Sequence, residues 1–223
     1  MPMKGGRPDL RVVDRWDDGV GWIAYPDERM QRASHAIASD DGVWVLDPVD
    51  VDGVDDLLAD IGAVAGVVTC LDRHMRDAAA VARRHDVPVY LPSWFDSVAD
   101  DIDAPIERFS REVGGMTAIR VRDASAPPWQ EVALEAGATL YVPEAVGTVS
   151  YYCAPKELLG VHPMLRPFPP RDTLGGLSPE RLRVGHGTGV ATDATAALRT
   201  ALRDARRTLP LAYANAARSM LFG

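Results

Sequence analysis

Short apolar runs separated by turn residues open the chain. Residues 10–13 and 21–25 flank Asp17-Asp18-Gly19, and 34–38 forms a further run, so three strands are predicted. Asp40-Asp41-Gly42 then reads as a hairpin turn into Val43-Trp44-Val45-Leu46, a strand apolar enough to be buried. The period then changes. Val54, Leu57, Leu58 and Ile61 mark one helical face that ends at Gly62. Residues 64–69 read as a buried strand. Residues 73–85 read as a helix with Met75, Ala78, Ala79 and Ala82 on one face, and 87–91 as the next strand. Strand–helix–strand–helix–strand predicts parallel pairing with right-handed crossovers.

Farther along, 117–121, 130–134 and 139–142 form a predicted meander. Residues 154–172 hold prolines 155, 163, 167, 169 and 170 and read as an irregular excursion. Ser178-Pro179-Glu180 has the form of a helix start, with serine as cap and proline at the first position. A strand over 182–184 leads into Gly185-His186-Gly187-Thr188-Gly189. Two helices, about 193–209 and 210–221, close the chain. No break in composition divides residues 1–223, so one domain is expected.

Composition narrows the functional classes. The formal net charge is -8, with 32 acidic against 24 basic residues. No basic cluster offers a nucleic-acid surface, so no such partner is expected. No apolar stretch approaches the roughly twenty residues of a membrane span, and the first residues lack the apolar core of a signal peptide. A cytoplasmic protein without a membrane partner is the expectation. Asp outnumbers Glu and Lys is nearly absent, which fits a halophilic source or simple drift in base composition. Cys70 and Cys153 are the only cysteines, and free thiols are expected of both.

The glycine-rich loop around His186 admits two readings. It could cradle a phosphate, or its glycines could turn the backbone sharply and hold His186 at a strand end. The order of elements decides the wider context. A β-rich start, then Leu46-Asp47-Pro48, then the strand–helix–strand over 64–91, then Val184-Gly185-His186-Gly187 resembles the metallo-β-lactamase fold superfamily. The resemblance covers about 20–205 and implies a four-layer αββα sandwich: two mixed sheets face to face with helices outside.

In that family a Thr-His-x-His-x-Asp-His loop supplies most ligands of a two-metal site. Here the same place reads Thr69-Cys70-Leu71-Asp72-Arg73-His74-Met75, so every ligand is changed in type. The region of the next family histidine, 124–129, ends in Trp129 and holds none. Glu144 stands where the metal-bridging aspartate falls, and His186 where the last histidine falls. Asp47 matches a supporting strand-end aspartate. Two metal ions need about seven ligands between them, more than this set provides. One divalent ion (zinc, iron or manganese) could be held by Asp72, His74, Glu144 and His186, with Cys70 as a further candidate and Asp47 in support. The same groups could instead form a hydrogen-bonded network with no ion. The resemblance therefore implies a divergent member that is not an ordinary two-zinc hydrolase: a ligand-binding or regulatory descendant, or a single-metal hydrolase. A Cys70-dependent enzyme is the third alternative, with the thiol activated by the following helix. Asp77 is read as pairing with Arg73 or Arg76 on the solvent face. Tyr151, Tyr152, His162, Met164 and Phe168 could line a cleft or pack ordinarily, and a small-molecule ligand and a homo-oligomer are the candidate partners.

Overall fold

A computed structural model describes residues 5–95 and 98–222, with side chains described through Asn215. Seven strands form the first sheet in sequence order: β1 (Arg11–Trp16), β2 (Gly19–Ile23), β3 (Ala33–Ser39), β4 (Gly42–Leu46), β5 (Val64–Val68), β6 (Val89–Pro92) and β7 (Ile106–Phe109). The hairpin-connected β1 to β4 pair antiparallel, whereas β4 to β7 pair parallel. Helices α1 (Val54–Ala59) and α2 (Ala78–Arg84) make the crossovers between β4, β5 and β6. The near-continuous apolar character of β4 and β5 suits strands covered on both faces.

The second sheet has the order β14-β11-β10-β9-β8, with β8 (Glu112–Val113), β9 (Met116–Ser125), β10 (Pro128–Ala136), β11 (Thr139–Val142) and β14 (Arg181–Val184). Between β11 and β14 lie a two-stranded ribbon, β12 (Val146–Gly147) with β13 (Gly160–Val161), and the short α3 (Arg171–Leu174). Helices α4 (Ala194–Asp204) and α5 (Leu209–Phe222) follow β14. Trp22, Trp44, Leu46 and Val67 of the first sheet share one buried cluster with Met116, Val132, Leu134 and Tyr141 of the second. The same cluster takes in Leu57 and Leu58 of α1 and Val81 of α2, while Leu198 and Leu202 of α4 pack with Leu140 and Leu182 on the outer side of the second sheet. The expected αββα sandwich is the observed arrangement. No described helix is long and apolar enough to cross a membrane.

Two local readings change. No helix begins at Ser178; residues 178–180 run into β14, and Pro179 instead accepts a hydrogen bond from Thr195 Oγ1 at 2.7 Å. The helix expected over 73–85 begins only at Ala78, because the preceding loop is tied to β10. There Val132 N donates to Cys70 O and Asp72 N to Gln130 O. That tie matters for the chemistry, since it sets where His74 points.

Candidate metal centre

Four separate segments converge at one end of the sandwich. Asp47 follows β4, His74 lies in the loop after β5, Glu144 follows β11, and His186 follows β14. His74, Glu144 and His186 are all buried, and one ligand atom from each lies within 4.8 Å of the others. Short-range pattern could not show this, because the three are brought together only by parallel β11–β14 pairing and by the loop docked on β10.

The imidazoles are oriented from behind. His74 Nδ1 lies 3.2 Å from Asp47 Oδ2, and His186 Nδ1 lies 2.9 Å from Met30 O. A carboxylate and a carbonyl can only accept, so each Nδ1 carries a proton and each neutral ring presents a bare Nε2. Both Nε2 atoms face one oxygen: Glu144 Oε2 is 3.1 Å from His74 and 2.8 Å from His186. Two nitrogen lone pairs and an anionic oxygen repel unless positive charge lies among them, either a metal ion or added protons. Around a tetrahedral ion, donors at about 2.0–2.1 Å stand roughly 3.3 Å from one another. The two nitrogen–oxygen separations would therefore open by only a few tenths of an ångström, and the donor set fits a single divalent ion.

With a second proton on the two rings, burial still works to raise the pKa of Glu144, but the charge and hydrogen bonds of His186 and His74 outweigh it and hold the carboxyl well below its ordinary range. Asp47 behaves alike: burial raises its pKa, and His74, Arg76 and the Cys70 amide more than offset this. Its Oδ1 accepts from Cys70 N at 2.8 Å, while Oδ2 also accepts from Tyr141 Oη at 2.7 Å. Asp47 thus accepts three hydrogen bonds as a supporting group.

Other expected ligands lie elsewhere. Asp72 does not join the cluster; its Oδ2 accepts from Gln130 N at 2.9 Å and its Oδ1 from Arg73, so it ties the loop to β10. Met75 is packed against the apolar core. Cys70 is fully buried in that core, and burial, with the charge of Asp47, pushes its thiol well above the usual range. No helix start lies beside it to activate the thiol, so the nucleophile reading loses its physical basis. Both cysteines are free. The phosphate-cradle reading fails too: Gly185 N donates to Val142 O, Gly187 N to Gln31 O and Gly189 N to Asp14 Oδ2. The glycines serve close approach, since a Cβ at Gly185 would lie 2.1 Å from Pro143 O, and Gly187 adopts φ +91.

Two contributors, Glu131 and Arg76, escaped the sequence reading, and a third, His162, entered it only as a candidate cleft residue. Glu131 is fully buried at a bulge in β10, where its Oε1 accepts from the amides of Glu144 and Ala145 at 3.0 and 2.7 Å. Its Oε2 accepts from Trp129 Nε1 at 2.7 Å, yet burial still pushes its pKa up to about 7. A glutamate beside the apolar run Val132-Ala133-Leu134 was the available signal. Arg76 turns inward rather than toward solvent. Nη1 donates to Ala33 O and Asp47 O, Nη2 donates to Gly185 O, and Nη2 lies 3.4 Å from His74 Nε2. Asp77 accepts from Asp50 N at 2.9 Å. His162, from the proline-rich excursion, brings Nε2 to 3.5 Å from Glu144 Oε1. Burial lowers its pKa to about 4, helped by His186 and Arg73 and opposed by Glu144.

No protein-family profile matches the sequence, and no curated protein matches it. Solved structures do. A mutant of the flavo di-iron protein from Thermotoga maritima superposes with a TM-score of 0.64 at 10% identity, over 89% of this chain and 63% of that one. The chain therefore spans a little under two thirds of that protein's length. The metallo-beta-lactamase from Pontibacter korlensis superposes with a TM-score of 0.60 at 12% identity, over 88% of this chain and 100% of that one. This chain has the metallo-β-lactamase fold. TTHA1623, solved in a di-iron-bound form, matches with a TM-score of 0.53 at 21% identity, over 75% of this chain and 93% of that one. At these identities the likeness is one of fold, and a metallo-β-lactamase fold carries several chemistries.

Proposed function

We propose that the protein is a single-metal hydrolase of the metallo-β-lactamase fold, acting on a small molecule in the cytoplasm. The observation that carries this reading is the convergence of His74 Nε2, His186 Nε2 and Glu144 Oε2, with both rings fixed in the ligating tautomer by Asp47 and Met30. Three protein donors leave a further position open, as in catalytic zinc sites. Zinc, iron or manganese bound there would supply Lewis acidity and lower the pKa of a coordinated water. Asp47 keeps the His74 ring oriented, and Glu131 holds the backbone from which Glu144 reaches inward. Cys70, Asp72 and Met75 are committed to the core or to loop docking. The remaining donors fall short of the roughly seven that two ions require.

A specific observation favours a second reading, a metal-free ligand-binding descendant. The Nε2–Oε2 distances of 2.8 and 3.1 Å are hydrogen-bond lengths, and the Arg76 guanidinium already brings a positive charge to His74. Metal content separates the two. Protein purified without chelator should carry about one equivalent of ion, and His186→Ala should lose it. A wild-type protein that neither retains nor takes up zinc, iron or manganese supports the network.

A further inference from the structure

His162 is held in the tautomer opposite to that of the two ligating histidines. Its Nδ1 accepts the amide hydrogen of Met164 at 3.2 Å, so its Nε2 carries the proton. That Nε2–H faces Glu144 Oε1 at 3.5 Å, too long for a good hydrogen bond. Beside it stands Tyr152, fully buried, whose hydroxyl faces the Glu144 carboxylate without a hydrogen bond of good geometry to it or to any other described residue. The Tyr152 ring stacks on His186 at 5.6 Å and meets His162 edge-on at 5.2 Å, so the phenol lies between a ligating and a non-ligating imidazole. The fold makes room for it with two facing glycines of the β12–β13 ribbon. A Cβ at Gly147 would lie 2.9 Å from the Tyr152 ring, and one at Gly160 would lie 2.3 Å from its carbonyl oxygen. An unsatisfied buried hydroxyl is costly, and a polar hydrogen kept at that cost invites a ligand acceptor.

We infer that His162 Nε2–H and Tyr152 Oη–H form a donor pair that receives an acyl oxygen, of a carboxylate or of an ester or amide carbonyl, beside the ion. The inference rests on the single-metal reading, because an ion neutralises the Glu144 carboxylate that the pair otherwise faces. An acyl oxygen fits better than a phosphate. The surroundings are aromatic, with Trp129 and Tyr151 also against His162, and Asp47, Glu131 and Glu144 oppose a doubly charged ligand. The pair supplies hydrogen bonds where charge develops on a carbonyl oxygen, the geometry by which buried donors stabilise a transition state.

Acetate is the probe, titrated into cobalt(II)-loaded protein and followed by the visible spectrum of the ion. Tyr152→Phe and His162→Ala should each raise the acetate Kd about tenfold at unchanged cobalt stoichiometry. His162→Gln, which keeps an N–H donor, should recover most of that loss, an outcome that a merely structural role would not give. Equal Kd values across the variants would overturn the pair. Ring nitrogen resonances of His162, recorded with and without the ion, supply a readout that does not depend on metal. A protonated Nε2 is expected in both, and a bare Nε2 overturns the inference. If cobalt fails to bind wild-type protein, the single-metal reading has failed and the acyl-oxygen inference falls with it, whereas equal acetate Kd values in protein that does bind cobalt overturn the pair alone.

Discussion

Asp47 shows how much one residue can organise. Its two oxygens accept from the Cys70 amide, the Tyr141 hydroxyl and the His74 ring, so it fixes both the loop backbone and the imidazole. Asp47→Asn substitutes a donor for one of those acceptors and leaves a buried N–H against the Tyr141 hydroxyl or the His74 ring. Metal affinity should fall about 10- to 100-fold, the range typical for groups that orient ligands, measurable by competition with a chromophoric chelator. Cys70 gives the contrasting case. Cys70→Ser places a hydroxyl in a fully buried site at the edge of the apolar core and should cost about 1–3 kcal/mol of stability in urea unfolding, with metal stoichiometry unchanged. A loss of metal in that variant would return the thiol to the ligand set.

At the level of elements, the proline-rich excursion is held down by one buried cation. Arg166 is 0% exposed and bonds Glu157, the Tyr152 carbonyl and Thr208, linking the excursion to the turn before α5. Burial acts to raise the pKa of Glu157, but Arg166, Thr208 and the Ala154 amide lower it overall. A carboxyl depressed in the folded state stabilises the fold above its unfolded pKa near 4.5 and loses that contribution as pH falls through the folded value. Glu157→Gln should therefore destabilise the protein by about 1–2 kcal/mol at pH 7. The gap from wild type should shrink below about pH 4.5 in thermal melts taken across pH. Legibility follows the same line between local and distant order. The strands over 34–46 and 64–68, the crossovers and the Gly-His-Gly turn were readable because period, turn residues and caps are local signals. β7, β8 and the β12–β13 ribbon were not, being short strands defined by their partners. His74, Glu144 and His186 were legible through position in the fold. Asp72 was misplaced because its docking to Gln130 is a contact across 58 positions, and the inward turn of Arg76 depends on carbonyls from three separate segments.

Across the whole molecule, the centre joins both sheets. Asp47 and the His74 loop come from the first sheet, and Glu144 and His186 from the second. An ion among them binds only the folded arrangement, so it should add about 2.7 kcal/mol to stability at a hundred times its Kd. The melting temperature should rise with zinc and fall with chelator, and His186→Ala should erase that dependence. The most direct test is the X-ray absorption spectrum of the bound ion at its metal edge. A single ion with two imidazole nitrogens and carboxylate oxygen around it is expected. A sulfur neighbour near 2.3 Å, or a second metal at about 3.5–4 Å, would contradict that coordination.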